Sequence, residues 1–224
     1  IDADLANILA TARYISQASD GAFDVTAGPY VSLWRRARKE GRLPHADELA
    51  AARQLVGWSL HSTSFYRGQY EFVTIVPGVK IDLGAIAKGY AAQHAVEVLT
   101  ARNHPRCMVA LSGDIVVGDA PPRTSGWTIT TPSGERLTLT NCGVSTSGDD
   151  RQFVEIDGVR YSHIVDPRTG LGAIAPRPTC TVIARRGEFA DALSTAGYLV
   201  GREGWVRLEH EFPGSRVIWG DAPK

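Results

Sequence analysis

The chain has 224 residues, 43% hydrophobic and 21% charged, with 24 Lys+Arg balanced by 24 Asp+Glu. That composition excludes general disorder, which needs low hydrophobicity or high net charge. It also excludes an overall basic field for nucleic acid, and no apolar run approaches the roughly 18 residues that a membrane-spanning helix requires.

The chain starts at Ile1 and its only methionine is Met108. This points to a removed leader or to a fragment. The three cysteines, Cys107, Cys142 and Cys180, form no C-x-x-C pair. They allow at most one disulfide, suggest no zinc site, and read as small core residues.

Residues 2–18 read as an amphipathic helix. Leu5, Ile8, Leu9, Ala12 and Ile15 recur at helical spacing, Asp2 or Asp4 caps the start, and Gly21 ends it. Residues 23–29 read as a loop, and a short helix through Trp34 and Arg38 follows Pro29. Another helix fits 45–56. Strands fit 61–66 and 70–76, joined by Arg67-Gly68.

Residues 79–83 read as a strand running into a helix at 86–102. Strands fit 107–111 and 115–117 around Ser112-Gly113-Asp114, and a Pro-rich loop spans 119–125. A hairpin pairs 127–130 with 136–140, and a second pairs 153–156 with 159–164 about Asp157-Gly158, the strongest short hairpin signal. A strand at 179–185, two helices near 188–199 and 203–210, and a strand at 215–219 complete the chain. Hairpins interleaved with helices predict an α+β fold rather than a doubly wound parallel sheet.

Four stretches carry chemistry. In Lys80–Tyr90, a turn with Gly84 opens a helix bearing Lys88 and Gly89. Unpaired amides at a helix start favour anions, so a phosphate is the natural ligand; the plain alternative is a capped helix with a solvated lysine. In 161–170, His163 stands on a strand just before the Asp166-Pro167 turn, where a general base often sits; the alternative is a structural histidine beside an Asx turn. Asp191 and Thr195 are four residues apart on a helix, so a carboxylate and a hydroxyl face one way. Both are hard oxygen donors suited to Mg²⁺, against the alternative of a solvated Asp at a helix start. In Ser19–Thr26, Asp24 follows Phe23 in a tight loop, where its carboxylate can accept bonds from an adenine or isoalloxazine edge; plain turn chemistry and a core Phe23 are the alternative.

Together these stretches resemble the FAD:protein FMN transferases, the ApbE flavin transferases. The resemblance rests on Gly21–Thr26 with Pro29 and Leu33-Trp34, on Ile81–Tyr90, and on Ser112-Gly113-Asp114. It continues through Ser145–Gly148, Ser162–Gly170 and Asp191–Ala196, in the family's order and spacing from Leu5 to Val200. Ser112 stands where the family more usually has glycine.

The resemblance implies one ApbE-like domain over 1–224, with T-fold-like mixed sheets and packed helices, lacking the family's N-terminal strand segment. It implies a Mg²⁺-dependent transferase that moves FMN from FAD to a Thr or Ser hydroxyl of a target protein and releases AMP. The metal would take the Ala87 carbonyl and the Asp191 and Thr195 side chains, with Ser194 as an extra backbone contact. Ala22, Phe23, Asp24, Tyr90 and His163 would contact flavin or adenine, Lys88 the phosphates, and His163 would be the catalytic base. The implied partner is a flavin-acceptor protein, such as a redox subunit with a Ser/Thr acceptor motif, with no nucleic acid. Family members are exported, periplasmic or bound to the cell envelope, often through a lipid anchor outside the part represented here. A Mg²⁺-dependent FAD pyrophosphatase would use the same residues, and a non-catalytic flavin-binding protein would need no base.

Overall fold

The computed structural model describes residues 1–66, 68–149 and 152–222. They form two compact units, each built from separated stretches of chain: 1–83 with 149–176, and 84–148 with 177–224.

In the first unit, α1 (Ala3–Ala18) begins where the Asp2 side chain accepts the Leu5 amide at 2.7 Å. Its buried face carries Ile8, Leu9, Ala12 and Ile15, as the spacing predicts. The loop after it holds a 3-10 turn over Val25–Ala27, capped by Asp24. Then α2 (Gly28–Glu40) starts with Pro29, whose fixed φ suits a first turn, and stops at Gly41 in the left-handed region. In α3 (Ala46–Arg53), Glu48 reaches back to accept the His45 amide at 2.8 Å. Strands β1 (His61–Tyr66) and β2 (Gln69–Thr74) pair antiparallel; Arg67 of the expected turn lies outside the described residues.

Residues 79–83 form no strand. This corrects the expectation of a strand there, and the reason is local. Lys80 runs against Gly28, where an added Cβ would come 2.8 Å from Lys80 Cβ, and the Asp82 amide donates to the Val25 carbonyl at 2.8 Å. The segment docks on a helix start instead of a strand edge.

The second hairpin, β8 (Phe153–Ile156) and β9 (Val159–Asp166), turns at Asp157 and Gly158, both with positive φ. It gains a third strand the sequence reading missed, β10 (Leu171–Ile174). Trp34 and Ala37 of α2 pack against Ile156 and Tyr161 of this sheet.

In the second unit, five strands pair antiparallel throughout, in the order β12-β11-β7-β4-β3. They are β3 (Met108–Leu111), β4 (Asp114–Val117), β7 (Cys142–Ser147), β11 (Cys180–Ala184) and β12 (Arg216–Trp219). The small hairpin of β5 (Trp127–Thr130) and β6 (Arg136–Leu139) matches its expectation. Against the sheet lie α4 (Ala87–Ala101) and α5 (Gly187–Glu211). The two helices expected near 188–199 and 203–210 are one run broken at Gly201, whose φ of 72° interrupts the helix. The α+β class is as expected, and every strand pairing among the described residues is antiparallel.

The three cysteines are free. Burial raises the Cys142 thiol to about 11 and raises Cys180 strongly, so both stay protonated near neutrality. Cys180 is a core residue; Cys107 and Cys142 are only half-buried.

Candidate active site

The second unit gathers a polar cluster at the start of its two helices. Gly89 in the first turn of α4 and Gly187 at the start of α5 lie against each other, so the helices approach at backbone distance. Gly143 of β7 packs there too, its missing Cβ leaving room for the Gly187 Cα. This close approach is the role of Gly89: it admits a second helix.

The approach lets the Gly89 amide donate to Asp191 Oδ2 at 3.0 Å. Asp191 is 3% exposed and Asp114, at the start of β4, is 4% exposed. The Lys88 ammonium hydrogen-bonds Asp114 Oδ2 and stands 3.6 Å from Asp191 Oδ2. Asp114 Oδ1 accepts from Ser145 Oγ. A hydroxyl chain continues through Ser194 to Ser147, and Ser147 Oγ lies 3.1 Å from Thr195 Oγ1. Ser145 and Ser147 are two apart on β7 and so share a face, while Val144 points the other way to pack with Leu137 and Ile183.

The electrostatics follow from the burial. Desolvation raises the Asp191 pKa above the ordinary carboxylate range, and the neighbouring Asp114 charge adds to this against the pull of Lys88. Burial opposes the charge on Lys88, but Asp191 and Asp114 outweigh it and raise its pKa, so it is an ammonium at neutral pH.

Of the residues singled out from sequence, Lys88, Asp191, Ser194 and Thr195 meet in this cluster, and Ala87 opens the helix that carries Lys88. Tyr90 is half-buried, its ring parallel to that of His94 with centroids 6.4 Å apart. Asp114, Ser145 and Ser147 also belong to it, although the sequence reading assigns them no role. The signal in the sequence is the Ser112-Gly113 turn pair before Asp114 and the i,i+2 spacing of Ser145 and Ser147; in the structure both turn residues have positive φ.

Ala22, Phe23, Asp24 and His163 belong to the first unit. Ala22 and Phe23 are buried. The Asp24 carboxylate accepts the Thr26 amide at 2.8 Å, and burial raises its pKa in spite of that bond. His163 is half-buried on β9, its Nδ1 3.1 Å from the Gln152 carbonyl. A carbonyl only accepts, so the neutral ring carries its proton on Nδ1 and its lone pair on Nε2.

The donors at the α4–α5 cluster are hard oxygens, two carboxylates and several hydroxyls, with neither sulfur nor imidazole among them. Among the described residues no three or more His, Cys, Asp or Glu gather at metal spacing. That set fits Mg²⁺, which commonly uses one or two carboxylates and completes its shell with water and phosphate. Two buried carboxylates face one lysine ammonium there, and a dication would relieve the remaining negative charge.

The ApbE family model matches residues 1–219. This chain belongs to the ApbE family. It is 32% identical to the FAD:protein FMN transferase of Haemophilus influenzae over 217 residues, 91% of this chain and 62% of that protein. It is 32% identical to the protein of the same name from Treponema pallidum over 238 residues, 98% of this chain and 66% of that protein. The chain therefore spans less than two thirds of the length of these relatives. Among solved structures it is similar to the apo form of the Pseudomonas stutzeri flavinyl transferase ApbE, with TM-score 0.81 and 30% identity over 99% of this chain and 74% of that one. The segments on which the sequence resemblance rests contain Lys88, Asp114, Asp191 and Thr195 of this cluster.

Proposed function

We propose that this chain transfers FMN from FAD to a Thr or Ser hydroxyl of a target protein and releases AMP. The observation that carries the proposal is the buried, oxygen-lined cluster where α4 and α5 begin, in a chain of the ApbE family. Transfer of a phosphoryl-linked group asks chiefly for charge neutralisation and positioning, and this cluster offers both.

Asp191, Thr195 and the Ala87 carbonyl would hold Mg²⁺. Bound there, the ion would neutralise negative charge on the pyrophosphate. The Lys88 ammonium favours the same anionic group. Ala22, Phe23, Asp24 and Tyr90 are the residues assigned to flavin and adenine. In the reaction the target hydroxyl oxygen attacks the FMN phosphorus. A new P–O bond forms, the bond from that phosphorus to the bridging oxygen breaks, and AMP leaves with the bond electrons. His163 Nε2 takes the hydroxyl proton, while the Gln152 carbonyl holds the ring in the tautomer that can accept it. The family resemblance supports an exported enzyme of the periplasm or cell envelope, acting on a redox subunit that carries the acceptor hydroxyl.

Incubation with FAD, Mg²⁺ and a flavin-acceptor domain, followed by mass spectrometry of that domain, tests the proposal. An acceptor heavier by one FMN, with AMP released in equal amount, supports it. Free FMN and AMP with an unlabelled acceptor would make the chain a FAD pyrophosphatase. A yellow protein that releases no AMP would make it a flavin carrier.

A further inference from the structure

Two carboxylates with almost no solvent exposure stand at the α4–α5 cluster, and such a pair is costly without a compensating cation. The side chain that supplies the charge is Lys88, and its two contacts are unequal. It is hydrogen-bonded to Asp114 Oδ2 but 3.6 Å from Asp191 Oδ2, beyond hydrogen-bond length. Asp191 Oδ2 takes its hydrogen bond from the Gly89 amide instead. Asp114 is committed at both oxygens, to Lys88 and to Ser145. The Lys88 side chain is 43% exposed, so its flexible stem has a way out to solvent.

We propose that the Lys88 ammonium is a tethered placeholder for the divalent cation, held by Asp114 and lent to Asp191 until the ion displaces it. The proposal rests on the reading of Asp191 as a metal ligand. With the placeholder in position one of the two negative charges is balanced before any ion binds, which lowers the cost of folding the two buried carboxylates without one. The same charge must give way at Asp191 when a dication arrives, so Lys88 lowers the cation affinity of the free protein. Displaced from Asp191, the ammonium becomes available to an anionic phosphate, which couples cation and nucleotide binding positively.

The test is calorimetric titration of MgCl₂ alone into nucleotide-free, EDTA-stripped protein, for the wild type and for Lys88→Met, Lys88→Arg and Asp191→Asn. Lys88→Met removes the competing charge and should bind Mg²⁺ about tenfold more tightly or better, by the size of one unit charge removed at contact distance. Lys88→Arg keeps the charge and should titrate like the wild type. Asp191→Asn should lose the binding, alone and combined with Lys88→Met. A Lys88→Met protein that binds no more tightly, or a Lys88→Arg protein that tightens equally, overturns the placeholder and leaves the metal reading standing. If Asp191→Asn binds as the wild type does, the Asp191 site itself falls and the placeholder falls with it. Circular-dichroism melts without metal verify folding, and Lys88→Gln replaces Lys88→Met should the latter not fold.

Discussion

Gly89 of α4 and Gly187 of α5 approach so closely that a Cβ on Gly89 would sit 2.6 Å from the Gly187 carbonyl carbon and 2.7 Å from Asp191 Cβ. The atoms in the way are backbone and the stem of a buried carboxylate, neither of which can step aside. Gly89→Ala should therefore push α5 from α4, break the Gly89–Asp191 hydrogen bond, and destabilise by about 1–3 kcal/mol through overpacking. Urea denaturation of the variant measures this; an unchanged midpoint would mean the helices can part freely.

Removing the imidazole of His163 should leave FAD binding intact and cut FMN transfer by roughly 10²–10⁴-fold, the usual worth of a general base. The comparison is single-turnover transfer against FAD affinity from flavin fluorescence in His163→Ala. Transfer at the wild-type rate would take the base role away from this residue.

Trp34 ties α2 to the strand that carries His163. Its Nε1 donates to the Ser162 carbonyl at 3.1 Å, and its ring meets Tyr161 edge-on at 5.5 Å. Trp34→Phe removes this buried hydrogen bond and should cost about 0.5–1.5 kcal/mol. Trp34→Ala adds a cavity and should cost about 3–5 kcal/mol. Chemical denaturation ranks the two; a Trp34→Phe protein as stable as the wild type would show that the hydrogen bond contributes little.

Asp24 gives a dependence on pH with a definite sign. Burial raises its folded pKa above the unfolded value of about 3.9, outweighing the Thr26 hydrogen bonds that lower it. The folded state then holds the proton more firmly than the unfolded chain, so ionisation costs stability above the folded pKa. That cost fades as pH falls through the folded pKa and is gone below the unfolded one. Asp24→Asn keeps an oxygen for the Thr26 amide and removes the cost. Its melting temperature should exceed that of the wild type at pH 7, and the gap should close as the buffer approaches pH 4. A gap that widens on acidification would mean the carboxylate is stabilised in the fold.

The residues that form the cluster were unequally visible. Asp191 and Thr195 announce themselves because four residues on a helix face one way whatever the helix packs against. Asp114 does not, since its importance comes from Lys88 and Ser145, 26 and 31 residues away in sequence. Strand β7 was missed outright. Cys-Gly-Val-Ser-Thr-Ser has few of the bulky residues that mark a strand, and its buried Ser145 and half-buried Ser147 find their partners in Asp114, Ser194 and Thr195. Residues 79–83 erred in the other direction, with a strand-like pattern and no neighbouring strand to pair with.

By itself the sequence determined the features whose hydrogen bonds close within a few residues. These are the Asp2 cap and inner face of α1, the start of α2 at Pro29, and the turn at Asp157-Gly158. Side-chain spacing and local backbone bonding settle such choices before the chain collapses. Only the tertiary structure decided that β7 is the middle strand of five, that Gly89 makes room for α5, and that Lys88 lies between two buried carboxylates. Those outcomes depend on which distant segments exclude water together, and no short stretch of sequence contains both partners.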